Sequence, residues 1–310
     1  MKAINSKTVK SRGKGRGLHV FRVEIGKWAL LLPCVILMYI YIWRPTVLGA
    51  AWSFFKMNVF TPQEFCGLDN YVKVLTHTRF LPNLWNTLQY VFWSLVIGYI
   101  PPIILAVMLN ELVHFNGGFR VVTHLPVIIP GIAAMLMWYY IYYPDHTGLL
   151  NMIFVRLGME PYGWLNDPKF AIIGIIIYMT WKSFAGTMLL YLTSLQSVSV
   201  ELYEAAVLDG AGIWKRAWNV TRPQIEGTML LCFVQQIIGV FQVMEQPLAM
   251  TGGGPNGASY SLGYQLYEYG FNSGGKGTGQ AMALGTIIFL ILLVMTIFYF
   301  WLNKRVEDRC

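Results

Sequence analysis

Six stretches of the chain stay apolar for about the length that a bilayer demands. A helix rises 1.5 Å per residue and the hydrocarbon core is about 30 Å thick, so roughly 20 mostly apolar residues cross it. The stretches run approximately from Trp28 to Leu48, Leu88 to Leu109, Val121 to Tyr143, Phe170 to Leu195, Gly227 to Met250 and Ala281 to Leu302. The pattern predicts an all-α integral membrane protein with six transmembrane helices, since a helix satisfies its backbone polar groups internally. Pro101, Pro102, Pro126 and Pro130 fall inside the second and third spans. Each removes a backbone donor there and is expected to kink its helix.

The polar stretch between spans four and five, Glu201 to Gln224, has a pattern of its own. Glu201 to Leu208 reads as a short helix, with Ala205 and Ala206 as strong helix formers. It breaks at Asp209-Gly210-Ala211-Gly212 and resumes over Ile213 to Val220. Gly210 suits a tight bend, Asp209 is suited to capping the second helix, and Pro223 is expected to end it. The result is a helix-turn-helix elbow lying across the membrane face.

Composition agrees with a lipid environment: 55% of the 310 residues are hydrophobic and 12% charged, against about 25% charged in ordinary soluble domains. The net charge of +8 is concentrated in residues 1–27, which hold eight Lys/Arg and one acid, Glu24. Such a segment reads as a basic cytoplasmic tail beside anionic membrane lipid, and no nucleic-acid partner is expected. The bulky residues from Leu30 to Trp43 lack a small-residue cleavage site, so the first span is expected to be retained. Loops and flanks on the amino-terminal side carry fifteen Lys/Arg and the opposite side seven, which predicts that both termini are cytoplasmic. The domain reading is therefore a tail over 1–27, a transmembrane domain over 28–302 that contains the cytoplasmic segment 201–223, and a short carboxyl-terminal tail over 303–310.

No catalytic constellation is visible. GKG occurs at Gly13 to Gly15 and Gly275 to Gly277, without the Ser or Thr of a phosphate loop. His19, His77, His114, His124 and His146 are dispersed, and the four cysteines are scattered, so neither a metal site nor a disulfide framework is indicated. Glu201 and Glu204, at i and i+3, read as a solvated helix face.

Polar residues within the spans are costly unless satisfied or wet, so they are candidates for a polar pathway. Gln235, Gly239, Gln242 and Gln246 fall at i, i+4, i+7 and i+11, one helical stripe flanked by Gln236 and Glu245. Amides both donate and accept hydrogen bonds, which suits a hydroxyl-rich ligand. The same glutamines also suit a role as interhelical glue. Trp181 and Phe241 offer aromatic faces on which a flat ligand ring could stack. Lys182 in span four and Glu245 in span five are the two intramembrane charges, and each is expected to face water or a partner, which includes pairing with one another.

Glu204-Ala205-Ala206, Asp209-Gly210-Ala211, Trp214, Trp218, Val220 and Pro223 resemble the EAA loop of type I ABC importer permeases, whose pattern is E-A-A-x-x-D-G-A, an aromatic and an I-x-L-P end. Arg222 departs from it, standing where leucine is typical. GLDNYVKVL at Gly67 to Leu75, Asn86-Thr87, LYLTSLQSV at Leu190 to Val198 and TGGGP at Thr251 to Pro255 are similar to the carbohydrate-transporting branch. The resemblance implies a bacterial cytoplasmic-membrane permease whose elbow, through Glu204, Ala205, Ala206, Asp209, Gly210, Ala211 and Pro223, couples to an ATPase. It further implies a second six-span permease, expected to be a different chain, two ATP-binding subunits and an extracytoplasmic sugar-binding lipoprotein. No cofactor is expected in this chain, ATP and Mg belonging to the partner ATPase. Two other classes remain: an ion-coupled secondary transporter using Lys182 and Glu245, and a membrane-embedded glycosyl- or lipid-modifying enzyme. Both leave the elbow unexplained.

Overall fold

The computed structural model of the chain describes residues 27–111 and 116–307. Residues 1–26 with His19, residues 112–115 with His114, and the last three residues with Cys310 lie outside the described residues. Residues up to Trp52 and residues from Ser53 onward form two separate compact units. The first contains helix α1 (Lys27–Trp52), long and apolar enough to cross a membrane.

In the second unit a hairpin, β1 (Phe55–Asn58) and β2 (Thr61–Phe65), leads into a short helix, α2 (Asp69–Leu75). Asn70 of α2 is buried and donates to the carbonyls of Ser53 at 2.8 Å and Phe55 at 2.9 Å, which fixes the hairpin's base. Helix α3 (Phe80–Asn110) is the next of membrane length. It is followed by α4 (Asn116–Ile128), α5 (Gly131–Ile141), α6 (Leu149–Arg156) and the long helix α7 (Ala171–Gln196). Then come α8 (Val200–Leu208), α9 (Ile213–Phe241), α10 (Glu245–Thr251), α11 (Leu262–Tyr267) and α12 (Thr278–Glu307). Helices α1, α3, α7, α9 and α12 can each span a bilayer by length and composition. A sixth span exists only if α4 and α5 are taken together.

Helix α7 is central. Its first half packs Ile172, Ile175, Ile176 and Tyr178 against Tyr90 of α3 and Ala134 and Met135 of α5. Its second half packs Met188, Tyr191, Leu192 and Leu195 against Ala106 and Leu109 of α3 and Ile225 and Cys232 of α9. A third core joins α3, α9 and α12 through Phe80, Phe241, Ala283, Leu284 and Ile288.

The expected kink of the third span is a sharp bend, and two other sequence expectations are corrected. The third span, Val121 to Tyr143, is two helical pieces that meet at 111°. Pro130 is the first residue outside α5, with an extended ψ of 141°, and the helix restarts behind it. The fifth span ends at Phe241 and not at Met250, because the carbonyl of Val243 accepts from the Ser261 hydroxyl at 2.5 Å. Gly263 presses on the same break, where an added Cβ would lie 2.6 Å from that carbonyl oxygen. Pro223 does not end its helix. A π turn over Ala217–Thr221 widens the backbone just before it, so the missing N–H is absorbed and α9 runs on. The same device, a π turn over Ser94–Tyr99, precedes Pro101 and Pro102 in α3.

The second span also begins earlier than its apolar run. Asn83, Asn86, Thr87 and Tyr90 form one buried polar face of α3. Asn86 Nδ2 donates to the carbonyls of Gly257 at 2.8 Å and Tyr260 at 3.0 Å, while Thr87 Oγ1 accepts from the Leu262 amide at 3.0 Å. Tyr90 donates to the Ser259 carbonyl at 3.0 Å. This face clamps the chain between α10 and α11. Asn86→Ala leaves two carbonyls without their donor and is expected to cost about 1–3 kcal/mol. A lowered unfolding temperature of the purified protein checks it, and an unchanged one removes the clamp.

Candidate functional site

The elbow is set by backbone hydrogen bonds at the end of α8. The Gly210 amide donates to the Val207 carbonyl and the Ala211 amide to the Ala206 carbonyl, each at 2.9 Å. Together they form a Schellman ending, which requires a left-handed residue, and Gly210 has φ +72°. Asp209 is the last capping residue of α8 and does not cap the second helix, whose cap is Gly212. Tyr203 and Thr221 hydroxyls lie 3.1 Å apart and tie α8 to the start of α9. Glu201, Glu204 and Ala205 are exposed, as are three large apolar side chains of the elbow, Leu208, Trp214 and Trp218. Arg222, the departure from the motif, places its guanidinium 4.4 Å from the centre of the Trp218 ring.

A cavity of about 250 Å³ lies between α7 and the end of α9, with α10 at its edge. Of the predicted stripe, Gln235, Gly239 and Gln246 line it, and so does Lys182. Gln242 and Glu245 do not: the stripe extrapolates helical periodicity through Gln242 to Met244, which are not helical. Tyr178 and Ser183 also line the cavity and were missed. Both follow from the α7 period, one turn either side of Lys182 and Met179. Gln236, which flanks the stripe, also lines the cavity, and its amide reaches α3, where a Cβ added to Gly98 would lie 2.9 Å from its Nε2. Phe241 is buried in the core and offers no free face, and Trp181 packs on Trp138 with ring centres 5.6 Å apart. Gln235→Ala is expected to slow transport about 2–10-fold, the worth of one hydrogen bond, and Gln242→Ala to leave it near wild type. Equal losses in the two uptake assays would dismiss this assignment.

Lys182 does not pair with Glu245. Among the described residues the ion pairs are Lys56 with Glu64 and Lys73 with Asp69. The Lys182 ammonium instead donates to the carbonyls of Pro126 at 2.6 Å and Val127 at 3.4 Å, and to that of Ile129. These are carbonyls that the break between α4 and α5 leaves without helical partners. A cation at the carboxyl end of α4 also meets the negative end of its dipole. The charge sits at the cavity wall and seals the break of the bent span.

Residues 29–308 match the family of binding-protein-dependent transport system inner membrane components. The chain belongs to that family. It is 33% identical over 280 residues to the probable ABC transporter permease protein YurN of Bacillus subtilis (strain 168), which covers 88% of this chain and 94% of that one. It is 31% identical over 283 residues to the trehalose/maltose transport system permease protein MalF of Thermococcus litoralis, covering 91% and 94% respectively. Its fold matches a chain of a bacterial ABC transporter involved in the import of the acidic polysaccharide alginate, with TM-score 0.81, 23% identity and coverage of 94% and 99%. Family membership makes the chain a multi-pass membrane component of a transport system and favours that reading over the ion-coupled carrier.

Proposed function

We propose that this chain is the permease subunit of an ABC importer for a sugar, of oligosaccharide class, delivered by an extracytoplasmic binding protein. The relative named for trehalose and maltose transport supports the substrate class. In this reading α4 and α5 together make the sixth span, both termini and the elbow are cytoplasmic, and a second permease completes the pathway. ATP is hydrolysed on separate subunits, and this chain binds none.

The observation that carries the reading is the continuity of α9. Its beginning is one arm of the elbow, and its far end, at Gln235 and Gly239, is a wall of the polar cavity. About 22 residues separate the two points, roughly 33 Å of helix. An ATPase gripping Glu204, Asp209 and the exposed Leu208 and Trp214 would therefore move the cavity wall through one rigid element. Small Ala205, Ala206 and Ala211 permit close approach. Amides in the cavity exchange hydrogen bonds with sugar hydroxyls, and alternation of its opening from one side to the other carries the sugar across.

Co-purification of the tagged chain from its native membrane tests this, followed by an ATPase assay with binding protein and candidate oligosaccharides. An associated ATPase stimulated by one sugar-loaded binding protein is the expected result. A chain that purifies alone and without ATPase overturns the proposal.

A further inference from the structure

A second polar pocket, of about 210 Å³, lies away from the cavity at the junction of α2, α3 and α11. Every side chain that lines it carries a hydrogen-bonding group, in a chain that is 55% hydrophobic. Its floor is two buried amides: Asn83 Nδ2 donates to Gln265 Oε1 at 3.0 Å, and Gln265 Nε2 donates to the Tyr269 hydroxyl at 2.8 Å. Its walls carry opposite charges, Arg79 from the turn before α3 and Glu268 from the turn after α11. These two do not pair with each other, the ion pairs among the described residues lying elsewhere. Glu268 accepts a 3.2 Å bond from Asn272 of its own turn, and its carboxylate also interacts with the Tyr260 hydroxyl. Tyr260 also lines the pocket, and its ring is stacked on Tyr264 with centres 4.2 Å apart. Burial, then the Glu268 carboxylate, push its phenol up, while Arg79 acts in the opposite direction, so both charges bear on the same hydroxyl.

The clamp from Asn86, Thr87 and Tyr90 holds the segment that carries Tyr260. The pocket is thus preorganised and does not depend on a ligand to assemble. An anion entering it meets Glu268 and a cation meets Arg79. A neutral polyol satisfies both, because vicinal hydroxyls accept from a guanidinium and donate to a carboxylate. Pockets for drug-sized ligands span about 300–1,000 Å³, so this one suits a single sugar unit.

We infer that the pocket bounded by Arg79, Asn83, Tyr260 and Glu268 is a saccharide subsite separate from the cavity that holds Gln235. The inference rests on the sugar-importer reading above. By chain order the pocket lies at the end of α9 opposite the elbow, which in that reading is the extracytoplasmic face, where a binding protein would dock. It would hold one end of an oligosaccharide as the chain leaves its carrier.

The test uses the intact importer complex in lipid nanodiscs with trehalose, maltose and maltotriose as probes. Saturation-transfer NMR without binding protein reads direct sugar contact, and a separate measurement reads docking of sugar-free binding protein. Loss of a hydrogen bond to a charged group predicts that Arg79→Met and Glu268→Gln each weaken sugar binding roughly tenfold or more, with docking unchanged. Wild-type sugar binding by both variants overturns the subsite and leaves the importer reading intact. Weakened docking of the sugar-free binding protein also overturns it, since the pocket is then a protein contact. If no sugar-loaded binding protein stimulates the wild-type ATPase, the importer reading falls, and the saccharide assignment falls with it.

Discussion

Gly210→Pro is expected to abolish uptake while the chain still inserts and the ATPase proposed to grip its elbow still hydrolyses. Proline fixes φ near −65°, whereas position 210 sits at +72°, and it also removes the N–H that bonds to Val207. The Schellman ending of α8 cannot form, so the elbow loses its angle. Gly210→Ala separates this cause from crowding, since an added Cβ at Gly210 has nothing within 4 Å. Only the left-handed backbone is then penalised, by about 1–2 kcal/mol. Asn tolerates that conformation better, so loss of transport should rise in the order Asn, Ala, Pro. Sugar uptake and ATPase activity in the same vesicles read the series. Normal uptake by the proline variant sinks the coupling assignment. Glu204→Lys complements it, for Glu204 is exposed and its reversal disturbs an external partner more than this chain's own fold.

The elbow was legible because its determinants are local. Two alanines favour the first helix, Gly210 supplies the one backbone angle a side chain resists, and the break falls where the Asp-Gly-Ala-Gly run puts it. Within it, Asp209 ends α8 instead of capping the next helix and Pro223 does not stop that helix, and the larger departures come where a distant residue decides the outcome. Asn83, Asn86 and Thr87 look too polar to belong to a span, and they are polar because Asn86 and Thr87 clamp a segment about 170 residues onward while Asn83 bonds to Gln265 of α11. The glutamine stripe presumed an unbroken helix. Ser261 and Gly263 break it from outside, and α10 still returns Gln246 to the cavity.

Pro130 was readable as a kink, but not the size of the bend. A sharp break within a membrane exposes carbonyls that lipid cannot satisfy, and it persists only if another group bonds to them. That group is Lys182, more than 50 residues away. An intramembrane charge reads from sequence as a pathway residue or half of an ion pair. Here the same charge first completes the fold of the neighbouring bent pair α4 and α5.

Lys182→Met is therefore expected to lower stability as well as transport. Methionine keeps length and flexibility but donates nothing, which strips the carbonyls of Pro126, Val127 and Ile129 of their shared donor. A hydrogen bond to a charged group is worth about 1.5–3 kcal/mol, and the favourable end of the α4 dipole is lost as well. A total near 2–4 kcal/mol is a large share of the stability of a folded chain, about 5–15 kcal/mol. Lys182→Arg retains charge and donors, so it should recover most of the unfolding temperature even where its bulk alters the cavity. Thermal unfolding of the purified complex, measured beside sugar uptake, divides the two roles. A cap predicts that Met lowers both and that Arg restores stability ahead of transport. If Lys182→Met unfolds at the wild-type temperature and only the KM for uptake rises, Lys182 serves the sugar alone and the bent span is held by something else.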